Sequence, residues 1–294
     1  MRISVYLPWL AAAVLALVTP QVAGRLHPRL GATALSAAAA AVAAASTWSL
    51  VLLATALLEY SPPVQERTSA RPVPLLASTA AALALAAVGR RARHARDVRR
   101  CITASLHRVC RLCPDGGELA VTADDDVYAF AVPGRPGRIL VSSGLLRVAT
   151  PAQRRVVLAH ERAHLQQGHH LRRAVVELAA AANPLLVSTR DAVEYLVERA
   201  ADEDAALAVG SRREAALALA DVALAVGRTD MDAGGALGFH RHGVVDRVAA
   251  LVRPPVGTSA WLAIACLTGA ACAVFAAADA TLALGRFVIV VAGL

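Results

Sequence analysis

The placing of the uncharged stretches constrains this chain most. Residues 31–57 contain no charged side chain, and neither do residues 4–23. A bilayer-spanning helix needs about 20 such residues, so both runs can span. A third, shorter run from Pro74 to Val88 follows a proline-rich segment, and a fourth extends from near Gly257 to Ala278. With 57% hydrophobic and 18% charged residues, the whole chain lies outside the usual range of a soluble domain.

All 30 basic residues are Arg, a bias of the kind a GC-rich genome imposes, so the net charge of +8 is a poor argument for nucleic-acid binding. No direct nucleic-acid partner is expected. The positions of the arginines say more. Arg25, His27 and Arg29 follow the first run, and Arg90, Arg91, Arg93, Arg96, Arg99 and Arg100 follow the third. Positive charge stays on the cytoplasmic side, so the loop at 25–29 and everything from about 90 to 256 are expected in the cytoplasm, with the 58–73 loop outside. The same charges disfavour a cleaved signal peptide at 4–23. The expected chain is mostly α, a multi-pass protein of the cell membrane whose non-membrane partners meet it beside a lipid bilayer. Residues 1–89 carry three transmembrane helices, 90–256 a cytoplasmic α+β domain with a small sheet, and 257–294 the fourth helix and a tail. Thr281–Leu294 is too short for a fifth span by itself. The cysteines form a lone Cys110-Arg-Leu-Cys113 pair and three scattered thiols, which imply no disulfide framework.

Within the domain, residues 118–142 alternate and carry turn residues, predicting strands around Val121, over 127–132 and over 139–142. Thr150-Pro-Ala-Gln153 reads as a capping box with proline at the first helical position, opening a helix that runs to about Gly168. Ser188-Thr-Arg-Asp191 is read as the start of a second helix ending at Gly210, and Ser211-Arg-Arg-Glu214 as the start of a third ending at Gly227. The apolar run 174–187, interrupted by Glu177 and Pro184, is read as a buried or membrane-surface helix.

The first of these helices carries His160-Glu161-Arg-Ala-His164. Histidines four residues apart project from one helical face and can reach one tetrahedral metal. Glu161 beside them suits a general base that takes a proton from a metal-bound water and later passes it to a leaving amine. The metal implied is one Zn2+ per chain. A third ligand is needed, and the second helix offers Glu198, with Asp202 one turn further to accept a hydrogen bond from a ligating imidazole. Glu194, His169 and His170 are rivals. His169 and His170 are read as surface or interfacial residues, and Glu203 and Asp204 as a solvated helix face. Arg247, His242, His240 and Tyr195 are candidates for stabilising an oxyanion or contacting substrate, with a structural salt bridge from Arg247 to Asp202 or Asp204 an equal alternative.

HERAH at 160–164 followed by ERAAD at 198–202 resembles the Glu-zincin peptidases of the membrane. Tyr128-Ala-Phe-Ala-Val-Pro-Gly134 and Ile139-Leu-Val-Ser-Ser-Gly-Leu-Leu146 look like the strand region that precedes the catalytic helix in these families. The chain looks most like the BlaR/MecR-type antirepressor peptidases and more distantly like HtpX-type and CAAX-prenyl-protease-type enzymes. The resemblance implies a zincin-like fold, Zn2+, and hydrolysis of protein or peptide substrates, among them a transcriptional repressor or damaged membrane proteins. It departs from those families in three places. The penicillin-binding sensor is not expected, Tyr128 stands where HtpX-type relatives usually have Asn, and 33 residues between His164 and Glu198 leave no room for two inserted spans.

The expected function is therefore a membrane zinc endopeptidase acting on cytoplasmic or membrane-proximal proteins. An extended substrate is expected to pair with an exposed edge at 139–142. A non-catalytic signalling or scaffold protein that keeps a zinc site is the alternative, opposed by the lack of an obvious fourth ligand. A transporter is opposed by spans almost without ionisable residues.

Overall fold

Small side chains let the first two helices close on their neighbours. The structure, a computed structural model, describes residues 3–55, 75–112, 117–233, 243–254, 257 and 260–292. Helix α1 (Leu7–Val22) and helix α2 (Pro28–Thr55) form a hairpin. Ala32, Leu35, Ala38, Ala39, Val42 and Ala43 of α2 are buried among its neighbours. Alanine allows such close approach where there is little hydrophobic drive between helices. Buried Ser36 and Ser49 donate to the carbonyls one turn back, so neither hydroxyl is left unsatisfied. At Gly31 a Cβ would lie 2.8 Å from Leu26 Cβ and 3.0 Å from Leu196 Cδ1, so only glycine lets the hairpin loop seat here.

Helix α3 (Leu75–Leu112) runs without a break from the third apolar run through the arginine cluster. Four helices are long and apolar enough to cross a membrane: α1 with its flanking turns, α2, α3, and the last helix, α10 (Trp261–Ala292). That last helix continues through Asp279 and Gly285, so 281–292 belongs to the same helix as the fourth candidate span, which ends at Gly285, and is not a separate element. Trp48 Nε1 donates to Thr281 Oγ1 at 2.7 Å, which ties α2 to this final stretch.

Three strands follow α3: β1 (Leu119–Thr122), β2 (Ala129–Val132) and β3 (Arg138–Ser142). Their order is β1-β3-β2, with β3 parallel to β1 and antiparallel to β2. The expectation of an exposed edge at 139–142 is thereby overturned. β3 is the central strand with both of its edges taken, which leaves β1 and β2 as the outer strands among the described residues. Ser142 caps the short helix α4 (Ser143–Val148) by accepting from the Leu145 N–H.

Helix α5 (Pro151–Gln166) starts at Thr150 with both bonds of the expected capping box. After Gly168, helix α6 (His169–Ala182) begins at once and ends at Asn183. Buried Asn183 caps a single 3-10 turn and donates from Nδ2 to Ser46 Oγ of α2 at 3.1 Å. Helix α7 (Val187–Val209) therefore starts before Ser188. Ser188 and Thr189, read as helix-starting residues, instead face α1: Ser188 Oγ donates to the Ala16 carbonyl at 3.0 Å and Thr189 Oγ1 meets Thr19 Oγ1 at 3.3 Å. Gly210, with φ +74°, ends α7 as expected. Helix α8 (Arg212–Ala233) passes through Gly227, because one glycine weakens a helix by only about 1 kcal/mol. Helix α9 (Val244–Val252) completes the unit.

Helix α7 joins the two parts of the molecule. Val193, Leu196 and Val197 are buried among residues of α1 and α2, whereas Ala205 and Ala206 are buried with Val156, Ala215 and Leu251 of α5, α8 and α9. Arg99 of the arginine cluster bridges α3 to α6 through Glu177 and the His170 carbonyl, both at 2.8 Å.

Candidate metal centre

The capping box and Pro151 fix where α5 begins, and that phase turns His160, Glu161 and His164 toward α7 and the sheet. On α7 the Glu198 carboxylate meets them. Its oxygens lie 3.5 Å from His160 Nε2 and 3.5 Å from His164 Nε2, and the two Nε2 atoms are 3.1 Å apart. His160, His164 and Glu198 are the one group of three convergent donors found among the described residues, all within 4.8 Å of one another. Glu194 is not part of it.

The outer nitrogens of both imidazoles are also engaged. His160 Nδ1 lies 3.1 Å from Asp202 Oδ1, the partner expected from the sequence. His164 Nδ1 lies 2.8 Å from His169 Nδ1. With both Nδ1 positions engaged, both Nε2 atoms face the Glu198 carboxylate, and two imidazoles with one carboxylate are a donor set that suits Zn2+ and leaves a position open.

Arg247 is buried and forks onto Asp202, Nε to Oδ2 at 2.8 Å and Nη2 to Oδ1 at 2.7 Å, while Nη1 reaches Glu198 Oε2 at 2.9 Å. Of the two roles considered for it, the structure displays the salt bridge. Arg173 of α6 reaches the other Glu198 oxygen. Tyr195 packs against the buried cluster of α1, α2 and α7 with Arg199 over its ring, and it is not one of the three convergent donors. His240 and His242 lie outside the described residues.

These contacts set the protonation of the site. Burial opposes a charge on His160, but the hydrogen bonds and charges of Asp202 and Glu198 outweigh it and raise its pKa to about 10. Burial would raise Glu198 and Asp202, yet Arg247 overrides it and holds Glu198 well below the carboxylate range and Asp202 below it. Burial keeps His164 well below the usual imidazole value. It also lowers His169, with help from Arg172 and Arg173, to about 3. Glu161 is raised by burial to about 7, against the pull of a charged His160. One Glu161 oxygen accepts the Ala131 N–H of β2 at 2.8 Å.

Four residues escaped sequence reasoning. His169, read as a surface residue, is buried against His164. Gln167 accepts from His169 Nε2 at 3.3 Å and donates to Asp204. Asp204, read as solvated, also pairs with Arg29 of the α1–α2 hairpin. Glu203 likewise pairs with Arg212. The doubled histidine after Gly168 was the available signal, but nothing in its spacing points inward.

A cavity opens against His160 and Glu161, walled by Tyr128, Ala129 of β2, Val156 and Val157 of α5, and Leu219 and Val222 of α8. It is apolar apart from the site residues and Arg247 at one end.

Compared with models of protein families, the chain matches peptidase family M48 over residues 92–251, from the arginine-rich part of α3 to α9. No curated protein and no solved structure matches it.

Proposed function

Because the chain belongs to peptidase family M48, whose members are typically zinc-dependent, we propose that it is an integral-membrane zinc endopeptidase acting at His160, Glu161, His164 and Glu198. The observation that carries the reading is the convergence of two Nε2 atoms on the Glu198 carboxylate with Glu161 bonded to the backbone of the outer strand β2.

Zn2+, when bound by His160, His164 and Glu198, supplies a Lewis acid that polarises the scissile carbonyl and acidifies a water. The residues of the chain do the rest. An extended substrate adds to the outer edge of β2 beside Glu161, taking over the Ala131 N–H that Glu161 accepts in its absence. Glu161 takes the proton of the attacking water and carries it to the leaving amine. Its raised pKa makes it a competent base near neutrality and a competent acid once protonated. Asp202 fixes the tautomer of His160, and Arg247 holds Asp202 and Glu198 as carboxylates in a buried place. The apolar cavity takes an apolar substrate side chain next to the bond that is cut.

The site is assigned to the cytoplasmic face. Two features support this: the arginines after the first and third apolar runs, and the pairing of Arg29 with Asp204, which ties the first hairpin loop to the peptidase unit. A membrane-proximal site favours substrates tethered to or passing near the bilayer. A transcriptional repressor, as the BlaR/MecR-type resemblance implies, is one such class.

Zinc content of the full-length protein in detergent, compared with Glu198→Ala, tests the reading. One zinc per chain that is lost or weakened in the variant is the expected result. A folded wild type without zinc overturns it.

A further inference from the structure

His164 and His160 are backed differently. Asp202 accepts directly from His160, as a carboxylate behind a ligating imidazole commonly does. Behind His164 stands another imidazole, and the donor roles from there outward are all determined. If His164 gives its Nε2 lone pair to a metal, its proton sits on Nδ1. His169 Nδ1, 2.8 Å away, must then accept, which puts the His169 proton on Nε2. That proton goes to Gln167 Oε1 at 3.3 Å, the Gln167 amide donates to Asp204 Oδ2, and Asp204 Oδ1 accepts from Arg29. Every group finds a partner of the right kind, with no donor facing a donor. Asp202 and Asp204, two residues apart on α7, thus each serve one histidine, the first directly and the second at a distance.

The turn makes this possible. Gly168 has φ +61°, a left-handed conformation that folds the chain straight from α5 into α6 and returns the His169 ring to the level of His164. His169 is almost wholly buried there. Arg29 is the second residue of α2, so the far end of the chain of bonds lies in the membrane hairpin.

We propose that His169 is a positioning residue of the metal centre, holding the Nδ1–H tautomer and ring orientation of His164 and linking that ligand through Gln167 and Asp204 to Arg29 of the membrane hairpin. The proposal rests on the zinc-site reading above. It adds a requirement that reading does not contain: metal affinity depends on an acceptor at position 169.

Two substitutions separate hydrogen bonding from packing. His169→Phe fills the space and offers no acceptor, whereas His169→Asn keeps an acceptor oxygen near the Nδ1 position and loses volume. Zinc affinity of the full-length protein in detergent is measured by competition with a chelating dye, with the visible absorption of the Co2+ form as a second readout of ligand geometry. His169→Phe is expected to weaken zinc by about 10- to 100-fold and to shift the Co2+ bands, while His169→Asn stays closer to wild type. Wild-type affinity in His169→Phe overturns the proposal, as does equal weakening in both variants, which reduces His169 to packing. Should His169→Phe fail to fold, Gln167→Leu removes the next link. A several-fold loss with shifted Co2+ bands supports the chain of bonds, and unchanged values overturn it. A wild type that holds no zinc is a different failure, that of the zinc-site reading, and Glu198→Ala serves as its control.

Discussion

The Ala131 N–H donates to Glu161 Oε2 at 2.8 Å, so the outer strand β2 and the proposed proton carrier are joined by a single bond. The strand on which a substrate would lie and the group that would act on it are therefore placed by one contact. A glutamine can accept the same bond but cannot take a proton. Glu161→Gln is expected to keep zinc and fold while peptide cleavage falls by about 10²- to 10⁴-fold or more. Paired zinc analysis and a cleavage assay check this. Wild-type turnover in the variant would remove Glu161 from the mechanism.

Arg247 is 3% exposed and answers two buried carboxylates, Asp202 and Glu198. Arg247→Leu leaves both without their main counter-charge. Breaking a buried pair in this way typically destabilises by about 3–5 kcal/mol. A marked drop in melting temperature is expected in the metal-stripped protein, with partial recovery when zinc is added. A variant that melts with the wild type would show the fork to be dispensable.

Zinc and a proton compete for His160. Its pKa without metal is raised to about 10 by Asp202 and Glu198 against the effect of burial, so at pH 6–8 metal entry must displace a proton. Apparent zinc affinity is expected to rise by about tenfold per pH unit over that range for one proton released. The same group acts on stability. In the metal-stripped protein, the raised pKa contributes stability that is fully present below the unfolded value near 6.5 and is lost as pH rises through about 10. Chelator competition and thermal melting across pH read the two effects separately. A flat affinity profile would mean that His160 is already neutral.

Gly168 occupies a left-handed turn, although a Cβ there would meet nothing closer than 3.8 Å. Gly168→Ala is therefore strained by its backbone and not by crowding. A loss of about 1–2 kcal/mol is expected, read as a lowered melting temperature. Since the turn also carries His169, zinc affinity should fall with it.

The cavity beside Glu161 has Val157 and Val222 in its wall. Val157→Phe narrows it. Cleavage of peptides with a bulky apolar residue next to the scissile bond should then fall relative to peptides with a small one, through KM more than through kcat. Equal loss for both peptide classes would move substrate selection elsewhere.

The metal group was readable because its residues follow helical arithmetic: four positions from His160 to His164, and four from Glu198 to Asp202. The capping box at Thr150 and Gln153 was readable for the same reason, being a local pattern. What escaped depends on tertiary partners. Ser188 and Thr189 have the grammar of a helix start, yet α1 takes their hydroxyls. Residues 139–142 are not an edge because the parallel pairing of β1 with β3, a contact that alternation does not encode, puts that strand in the middle. His169 and Asp204 read as solvated because their surroundings are set by the turn at Gly168 and by Arg29, which lies 175 positions from Asp204.

Helix α7 has no face that belongs to the peptidase alone. Its first half is part of the wall made by α1 and α2, and its second half is part of the wall behind His160. A choice of detergent is therefore also a choice about catalysis. An amphiphile that lets α1 and α2 drift apart takes away the backing of Val193, Leu196 and Val197, and Glu198 is the next residue along. Purification in a harsh detergent would then yield an inactive preparation with every ligand intact in sequence, and reconstitution into lipid, not added zinc, would be the step that restores it.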